Sequence, residues 1–214
     1  APYAAVDETV SAVPQRSRGF VNAVLRSLTR LGPPWPEPES LAVALSYPDW
    51  IVDLFVTELG ESDARGVLVA GNLPGVLTLR PQFGRATAQE LTDELLAEGI
   101  KVERGELVPE ALLVTGTGDP GTLPAVASGR ATPQDQASQA VVAYLNPQPG
   151  DRVLDVAAAP GGKTTAIAGA VGPKGFVFAL DTNSGRLRLV REAALRLGLT
   201  IETAVADGTN LPLR

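Results

Sequence analysis

The sequence predicts an α/β protein whose C-terminal part is a doubly wound parallel sheet. From Pro133 onward, helical and strand-like runs alternate with short polar turns, which is the pattern of parallel strands joined by helices. The strand at 152–154 runs into a glycine-containing turn and then into an alanine-rich helix. Such a turn lets a ligand approach the backbone, and the helix N-terminus offers it free N–H groups. We therefore expect a ligand site at the carboxyl edge of this sheet.

The residue pattern of the N-terminal part predicts a helix over residues 1–31, followed by a linker. The apolar residues that recur at the spacing of one helical face are Val21, Val24, Leu25 and Leu28. The segment 32–38 holds four prolines, and proline removes N–H donors and restricts φ. That segment is therefore neither helix nor central strand, and it predicts a connection between two modules.

The middle of the chain predicts a small α+β unit. Its clearest helix start is Thr87, because Glu90 three residues later completes a capping box. Pro81 ends the strand that precedes this helix. The predicted helices span 41–45, 48–55, 61–72 and 87–98, and the predicted strands span 76–80 and 112–114.

The C-terminal part predicts three strands and three helices in strict alternation. Such sheets commonly have five or more strands, so we expect only the first half of one. The predicted domains are a helical piece with its linker at 1–34, an α+β unit at 35–127 and the half-sheet at 128–214. The predicted helices span 134–145, 164–171 and 183–197, and the predicted strands span 151–155, 175–181 and 200–207.

Each predicted strand of this sheet ends in an aspartate: Asp155, Asp181 or Asp207. Ligands of open parallel sheets bind at the carboxyl ends of the strands, so the three carboxylates are expected to line one crevice. Asp181 follows Gly162 by 181 − 162 = 19 residues, close to the spacing of about 20 at which an acid contacts a ribose hydroxyl. Each aspartate could instead cap the turn that follows it. Three aspartates at matching strand ends, after a glycine turn, together favour a nucleoside ligand.

The turn itself narrows the choice of nucleoside. A dinucleotide site requires G-x-G-x-x-G, which is absent. A phosphate-binding P-loop requires G-x-x-x-x-G-K-[ST]; residues 157–164 read AAAPGGKT and lack only the first glycine, at Ala157. Pro160 removes an N–H that such a loop would use, and a P-loop has no need of Asp181. An acid at the ribose suits S-adenosyl-L-methionine, which has free ribose hydroxyls and no phosphates.

The run DVAAAPGGKT at 155–164 resembles motif I of the Sun/Nop family of RNA cytosine-5 methyltransferases. QDQASQ at 134–139 resembles the helix start that precedes this motif in the family. GFVNAVLR at 19–26 is similar to the end of the helical, NusB-like RNA-binding domain found in the branch that modifies bacterial 16S ribosomal RNA. The resemblance covers essentially the whole chain. It implies the N-terminal half of a Rossmann-like S-adenosylmethionine-dependent methyltransferase sheet, preceded by a small α+β unit and a remnant of the NusB-like domain.

The resemblance also implies roles for individual residues. Asp181 would bind the ribose hydroxyls of the cofactor, and Asp207 would face the adenine amine. Ala157 departs from the family, which usually has a non-catalytic cysteine there. The residues implied to wrap the methionine moiety are Ala157, Ala158, Ala159, Pro160, Gly161, Gly162 and Lys163. Lys163 could contact the cofactor carboxylate or only cap the turn.

The catalytic groups of the family are missing from this chain. The resemblance implies a cysteine thiolate that adds to C6 of cytosine and so activates C5, within Asp-Ala-Pro-Cys and Thr-Cys-Ser motifs. The chain has no cysteine and neither motif. It also has no methionine, so we expect a piece of a longer enzyme that is inactive alone. With no cysteine and no histidine, a metal site is not expected.

The expected macromolecular partner is ribosomal RNA. The arginines that cluster near the N-terminus are Arg16, Arg18, Arg26 and Arg30. Arginine forks match phosphate geometry, although for the cluster taken alone a solvated helix face is the favoured interpretation. The net charge of −6 argues against a protein that coats nucleic acid over its whole surface. No run is long and apolar enough to span a bilayer, so the expected location is cytoplasmic. Oligomeric state is left open.

Two other functions stay open on the sequence alone. A nucleotide hydrolase of the P-loop type would bind ATP with magnesium and make no use of Asp181. A non-catalytic module would bind RNA and need no cofactor.

Overall fold

A computed structural model describes residues 2–32 and 37–211. It forms two compact units, residues 1–74 and residues 75–214. The core of the predicted linker, residues 33–36, lies outside the described residues. The predicted domain boundaries after residues 34 and 127 stay predictions.

The first unit begins with two helices, α1 (Pro2–Ala12) and α2 (Gln15–Leu31). The prediction of one continuous helix over 1–31 is wrong at Pro14, which adopts φ −53° and ψ 143°. The extended ψ turns the chain out of the helix, and the proline ring cannot donate the hydrogen bond that would continue it. Pro14 therefore ends one helix and precedes the next.

Three further helices complete the first unit and confirm the predicted helical segments. Pro48 stands just before the second of them, as its N-cap, rather than in the first turn. Ala42, Val52 and Leu68 are buried together between the three. They are α3 (Leu41–Leu45), α4 (Asp49–Leu59) and α5 (Glu61–Gly71).

The second unit opens with an antiparallel sheet in the order β2-β3-β1-β4, covered by helix α6. The Thr87 capping box is confirmed: Oγ1 accepts the N–H of Glu90 at 3.2 Å, and the Glu90 carboxylate accepts the N–H of Thr87 at 2.7 Å. Strands β2 and β4 were not predicted, because one is mostly charged and the other has three residues. The elements are β1 (Leu77–Pro81), α6 (Ala88–Ala97), β2 (Lys101–Arg104), β3 (Leu112–Thr115), a 3-10 turn (Pro120–Thr122), α7 (Pro124–Ala127) and β4 (Ala131–Pro133).

The parallel sheet follows in the order β5-β6-β7 and confirms the predicted fold class. Its register sets Asp155 beside Ala179 and Asp181 beside Val205. The carboxyl ends of the strands therefore meet at one edge. The elements are α8 (Gln136–Leu145), β5 (Arg152–Asp155), α9 (Gly162–Val171), β6 (Phe176–Asp181), α10 (Ser184–Leu197) and β7 (Glu202–Val205).

Helix α8 begins two residues later than the sequence predicts. Asp135 is its N-cap and accepts the N–H of Ala137 at 2.8 Å. Gln134 directly follows β4 and lies outside the helix, and its N–H donates to the carbonyl of Thr78 at 3.0 Å. The Gln134 side chain is consequently buried between the antiparallel sheet and the start of α9.

Helix α9 is almost entirely buried, and it consists mainly of Ala, Gly and Thr. Small side chains let neighbouring elements approach its backbone closely. A Cβ on Gly169 would lie 3.2 Å from the Cβ of Phe83 in the loop after β1. The small side chains thus permit close packing of the C-terminal half of α9 against this loop. In the part of the chain that the structure describes, no helix combines the length and apolarity needed to cross a membrane.

Candidate functional site

The turn between β5 and α9 forms the centre of the candidate site. It contains a cis peptide bond between Ala159 and Pro160. Ala157 and Pro160 are exposed on it, whereas Ala158 and Ala159 are buried. Lys163, in the first turn of α9, is also exposed. The turn therefore presents alternating parts of its backbone to the protein and to solvent.

Gly161 is required by geometry on two counts. Its φ of +110° lies in a region that side chains disfavour. A Cβ at this position would also lie 3.1 Å from the Cα of Val190 in α10. The glycine therefore allows the turn to rest directly on the backbone of the neighbouring helix.

The turn is bound to the end of β6 by its own N–H groups. Ala158 donates to the carbonyl of Leu180 at 2.8 Å, and Ala159 donates to Oδ2 of Asp181 at 3.2 Å. On the other side, Nη2 of Arg186 donates to the carbonyl of Ala159 at 2.9 Å. Asp181 of β6 thus holds the N–H of Ala159, and Arg186 of α10 holds the carbonyl of the same residue.

Asp181 is buried, with 6% of its surface exposed, and it is held ionised. Its Oδ1 accepts the N–H of Asn183 at 2.9 Å. This hydrogen bond is the main cause that lowers the pKa of Asp181, and the Ala159 N–H and the charge of Arg186 add to it, while desolvation opposes them. The residue at the end of β6 is therefore a carboxylate that structures the turn and faces the carboxyl edge of the sheet.

Of the other two aspartates, Asp155 ends β5, whereas Asp207 lies two residues beyond Val205, the last residue of β7, so the prediction that this strand ends in its aspartate is wrong. Asp155 accepts the hydroxyl of Thr164 at 2.7 Å, which ties the end of β5 to the first turn of α9. Asp207, after β7, accepts the N–H and the hydroxyl of Thr209 at 2.8 and 2.7 Å. The Thr209 N–H, followed by its hydroxyl, lowers the pKa of the exposed Asp207. All three carboxylates cap local turns as well as lining one edge, so turn capping and ligand binding are compatible here.

The geometry of the turn does not suit a P-loop. A P-loop directs successive backbone N–H groups at phosphate. Here the N–H of Ala157 lies 3.3 Å from Oδ1 of Asp155, and those of Ala158 and Ala159 are bound to β6. Pro160 has no N–H to offer. Four consecutive residues are therefore unavailable to a phosphate.

A cavity of about 620 Å³ lies away from the aspartates, at the opposite edge of the parallel sheet. It is lined by the starts of β6 and β7, by the ends of α9 and α10, and by the loop after β1. We place the candidate site at the carboxyl edge, because the chemistry of three convergent carboxylates and a glycine turn is found there. Among the described residues, no group of acidic side chains is arranged to hold a metal ion.

The N-terminal arginines separate into two kinds. Arg18 donates to the carbonyls of Val13 and Ser11 at 3.2 and 3.0 Å, so it bridges the break between α1 and α2. At 3.6 residues per turn, the other three predicted RNA-binding residues fall within a sector of roughly 80° on α2, opposite its apolar stripe. They are Arg16, Arg26 and Arg30.

The sequence did not reveal the long-range contacts of three arginines. Arg186 of α10 donates to the carbonyl of Ala159 in the turn. Arg196 of the same helix donates to the carbonyl of Val126 at 3.0 Å. Arg80 lies buried on β1 and donates to Thr165 of α9 at 3.2 Å. No local sequence signal marks these contacts, because each partner lies at least 27 residues away.

The sheet, its turn and its acidic edge are those of the Rossmann-like, S-adenosylmethionine-dependent methyltransferases. The crystal structure of PH0851 matches 99% of this chain and 48% of its own, with a TM-score of 0.79 and 28% identity. A methyltransferase homolog protein from Pyrococcus horikoshii matches 80% of this chain and 56% of its own, with a TM-score of 0.69 and 26% identity.

The chain belongs to the RsmB/F family of 16S rRNA methyltransferases. The family's methyltransferase domain matches residues 142–213, and its ferredoxin-like domain matches residues 47–119. The probable ribosomal RNA small subunit methyltransferase B of Bacillus subtilis is 39% identical over 188 residues, which make up 85% of this chain and 42% of the relative. The chain spans about half the length of the curated relatives it matches.

Proposed function

We propose that this chain supplies the cofactor-binding half of an enzyme that methylates C5 of cytosine in 16S ribosomal RNA in the cytoplasm. The observation that carries the proposal is the bond between the turn after β5 and Asp181, an acid at the end of the next strand. That pairing suits a nucleoside with free ribose hydroxyls. Family membership supports ribosomal RNA as the substrate, and the resemblance to Sun/Nop motif I supports cytosine C5.

The residues at the carboxyl edge fit S-adenosylmethionine. Asp181 would accept from the ribose hydroxyls and Asp207 would face the adenine amine. Residues 157–163 would hold the methionine moiety, with the first N–H groups of α9 near its carboxylate. When bound, this cofactor supplies an electrophilic methyl group.

The residues of this chain bind and orient in this proposal; they do not activate the base. Cytosine C5 is a weak nucleophile, and the family resemblance implies that a thiolate adds to C6. The chain has no cysteine. We therefore propose that the nucleophile comes from outside these 214 residues and that the chain alone transfers no methyl group.

Isothermal titration calorimetry of the chain tests the cofactor assignment. We expect S-adenosylhomocysteine to bind and ATP with magnesium not to bind, and D181A to abolish binding. D119A is the matched control, because Asp119 caps a turn in the antiparallel unit, where its Oδ1 accepts the N–H of Gly121. Binding of ATP that survives D181A would favour the P-loop alternative. RNA binding without cofactor binding would favour a non-catalytic module.

Tritium release tests the position of methylation. The enzyme is the protein in which this chain continues into the family's two cysteine motifs, and the substrate is 16S rRNA with tritium at cytosine C5. Methylation at C5 displaces the tritium, so its release should match the methyl groups transferred. Methyl transfer without release would contradict the C5 assignment and leave the cofactor assignment intact.

A further inference from the structure

Arg80 is a buried cation that has no acidic partner among the residues that the structure describes. It lies on β1, only 8% exposed, and all three of its hydrogen bonds go to neutral side chains. Nε donates to Oε1 of Gln134 at 2.6 Å, Nη1 to Oε1 of Gln82 at 3.1 Å and Nη2 to Oγ1 of Thr165 at 3.2 Å. Neutral acceptors orient a guanidinium, but they do not neutralise its charge.

No carboxylate compensates this charge among the described residues. The ion pairs found there join Arg130 with Glu94 and Arg188 with Glu192. Burial, with a smaller contribution from the positive charge of Arg196, lowers the pKa of Arg80 to about 10. Arg80 therefore remains protonated near neutral pH and carries a desolvation cost.

Two of the three acceptors flank the first residue of α9. The hydroxyl of Thr165 donates in turn to the carbonyl of Gly162 at 3.1 Å. The amide of Gln134 packs on the other side, where a Cβ on Gly162 would lie 3.6 Å from Nε2. That Nε2 is buried and has no hydrogen-bond partner among the described residues. Arg80 thus stands directly behind the helix N-terminus at the cofactor turn.

From this arrangement we infer that Arg80 is a positioning residue for the carboxylate end of the cofactor. It is contributed by the antiparallel sheet of strands β1 to β4, called the ferredoxin-like sheet below. The inference rests on the proposed function. The guanidinium fixes Thr165 and Gln134 around Gly162. Its positive potential, weakly screened because the group is buried, adds to that of the α9 N-terminus. The carboxylate of a cofactor bound in front of the N-terminus of α9 would supply the negative charge that balances Arg80.

The inference assigns a role to a part of the chain outside the parallel sheet. The ferredoxin-like sheet would then act on the cofactor site, and would be more than a spacer between modules. Its contribution depends on charge, so it should discriminate between ligands that carry the carboxylate and ligands that lack it.

Calorimetry with two probes tests the inference. One probe is S-adenosylhomocysteine; the other is 5′-deoxy-5′-(3-aminopropylthio)adenosine, which keeps the nucleoside, sulfur and amine but lacks the carboxylate. We expect R80M to weaken the first about tenfold, from the Coulomb energy of a charge pair at moderate effective dielectric, and the second by less than about twofold. R80K, which retains the charge, should recover most of the lost affinity. R130M is the control, because Arg130 pairs with Glu94 away from α9.

Each outcome decides a separate point. Equal weakening of both probes by R80M would mean that Arg80 only supports the fold, and unchanged binding of both would mean that it has no role; either result overturns the inference. Failure of the unmodified chain to bind S-adenosylhomocysteine would overturn the proposed function itself. If R80M does not fold, T165V replaces it: loss of the carboxylate preference supports the inference, and retention overturns it.

Discussion

The backbone N–H of Ala159 donates to Oδ2 of Asp181 across 22 positions of sequence, at 3.2 Å. Ala159 belongs to the turn after the first parallel strand, and Asp181 ends the second. Arg186 holds the carbonyl of the same alanine at 2.9 Å, and its charge contributes to the lowered pKa of Asp181. The same residue is proposed to bind the ribose, so turn structure and ligand binding are coupled.

We expect the stability that Asp181 contributes to be lost in acid. Its pKa is lowered in the folded chain, mainly by the Asn183 N–H, so the stabilisation is fully present above the ordinary value of 3.8 and disappears as the pH falls through the lowered folded value. D181N removes this dependence. Thermal melts of both proteins between pH 2 and 6 should converge at the acid end; parallel curves would contradict the assignment.

Substitution of Gly161 by alanine should weaken both folding and cofactor binding. The alanine would pay roughly 1–2 kcal/mol for a left-handed backbone and would press its Cβ toward the Cα of Val190. G150A is the matched control, because Gly150 also has a positive φ, +92°, but no atom lies within 4 Å of its added Cβ. Chemical denaturation should rank G161A below G150A. Equal stabilities would show that the contact with α10 is unimportant.

Removal of the Arg186 guanidinium should affect ligand affinity more than stability. R186M loses the hydrogen bond to the Ala159 carbonyl and the charge that faces Asp181. We expect S-adenosylhomocysteine to bind about tenfold more weakly, the lower end of the effect of one lost hydrogen bond to a charged group. R188M is a suitable control on the same helix, since Arg188 pairs only with the exposed Glu192. Identical affinities of the two variants for S-adenosylhomocysteine would show that Arg186 does not contribute to ligand binding.

Charge reversal on α2 tests the RNA interface. R16E, R26E and R30E combined should weaken binding to a 16S rRNA fragment and lower the slope of log affinity against log salt, because fewer counterions are released. R18E serves as a comparison, since Arg18 is engaged with the carbonyls of Ser11 and Val13. Filter binding at several salt concentrations would measure both. An unchanged slope would mean that the three arginines do not contact RNA phosphates and belong to a solvated surface.

Loss of the Thr87 cap should destabilise the ferredoxin-like sheet without touching the cofactor turn. T87A removes the acceptor for the Glu90 N–H and should cost about 1 kcal/mol in the free energy of unfolding. T92A is the control in the same helix, because the Thr92 hydroxyl only bonds back to the carbonyl of Ala88. Urea unfolding of the two variants would measure the difference, and a T92A effect as large as that of T87A would contradict the capping role.

Local signals in the sequence predicted much of the fold. The alternation after Pro133 predicted a parallel sheet, and the structure confirms that its three strands are parallel. The Thr87–Glu90 spacing predicted a capping box that is present. Both depend on neighbours within a few residues. Strands β2 and β4 escaped prediction because their pairing partners, rather than their own composition, make them strands.

The sequence by itself determined which residues form the turn and which acids lie at or just after the ends of the strands, because glycine, proline and aspartate act through local backbone preferences. Only the tertiary structure decided what those residues contact. It brings Arg186 to the turn, sets Gly161 against α10 and buries Arg80 behind α9. These contacts join positions up to 85 residues apart. They exist because packing of two sheets around a nearly all-buried helix excludes water, and no local pattern encodes which side chains meet there.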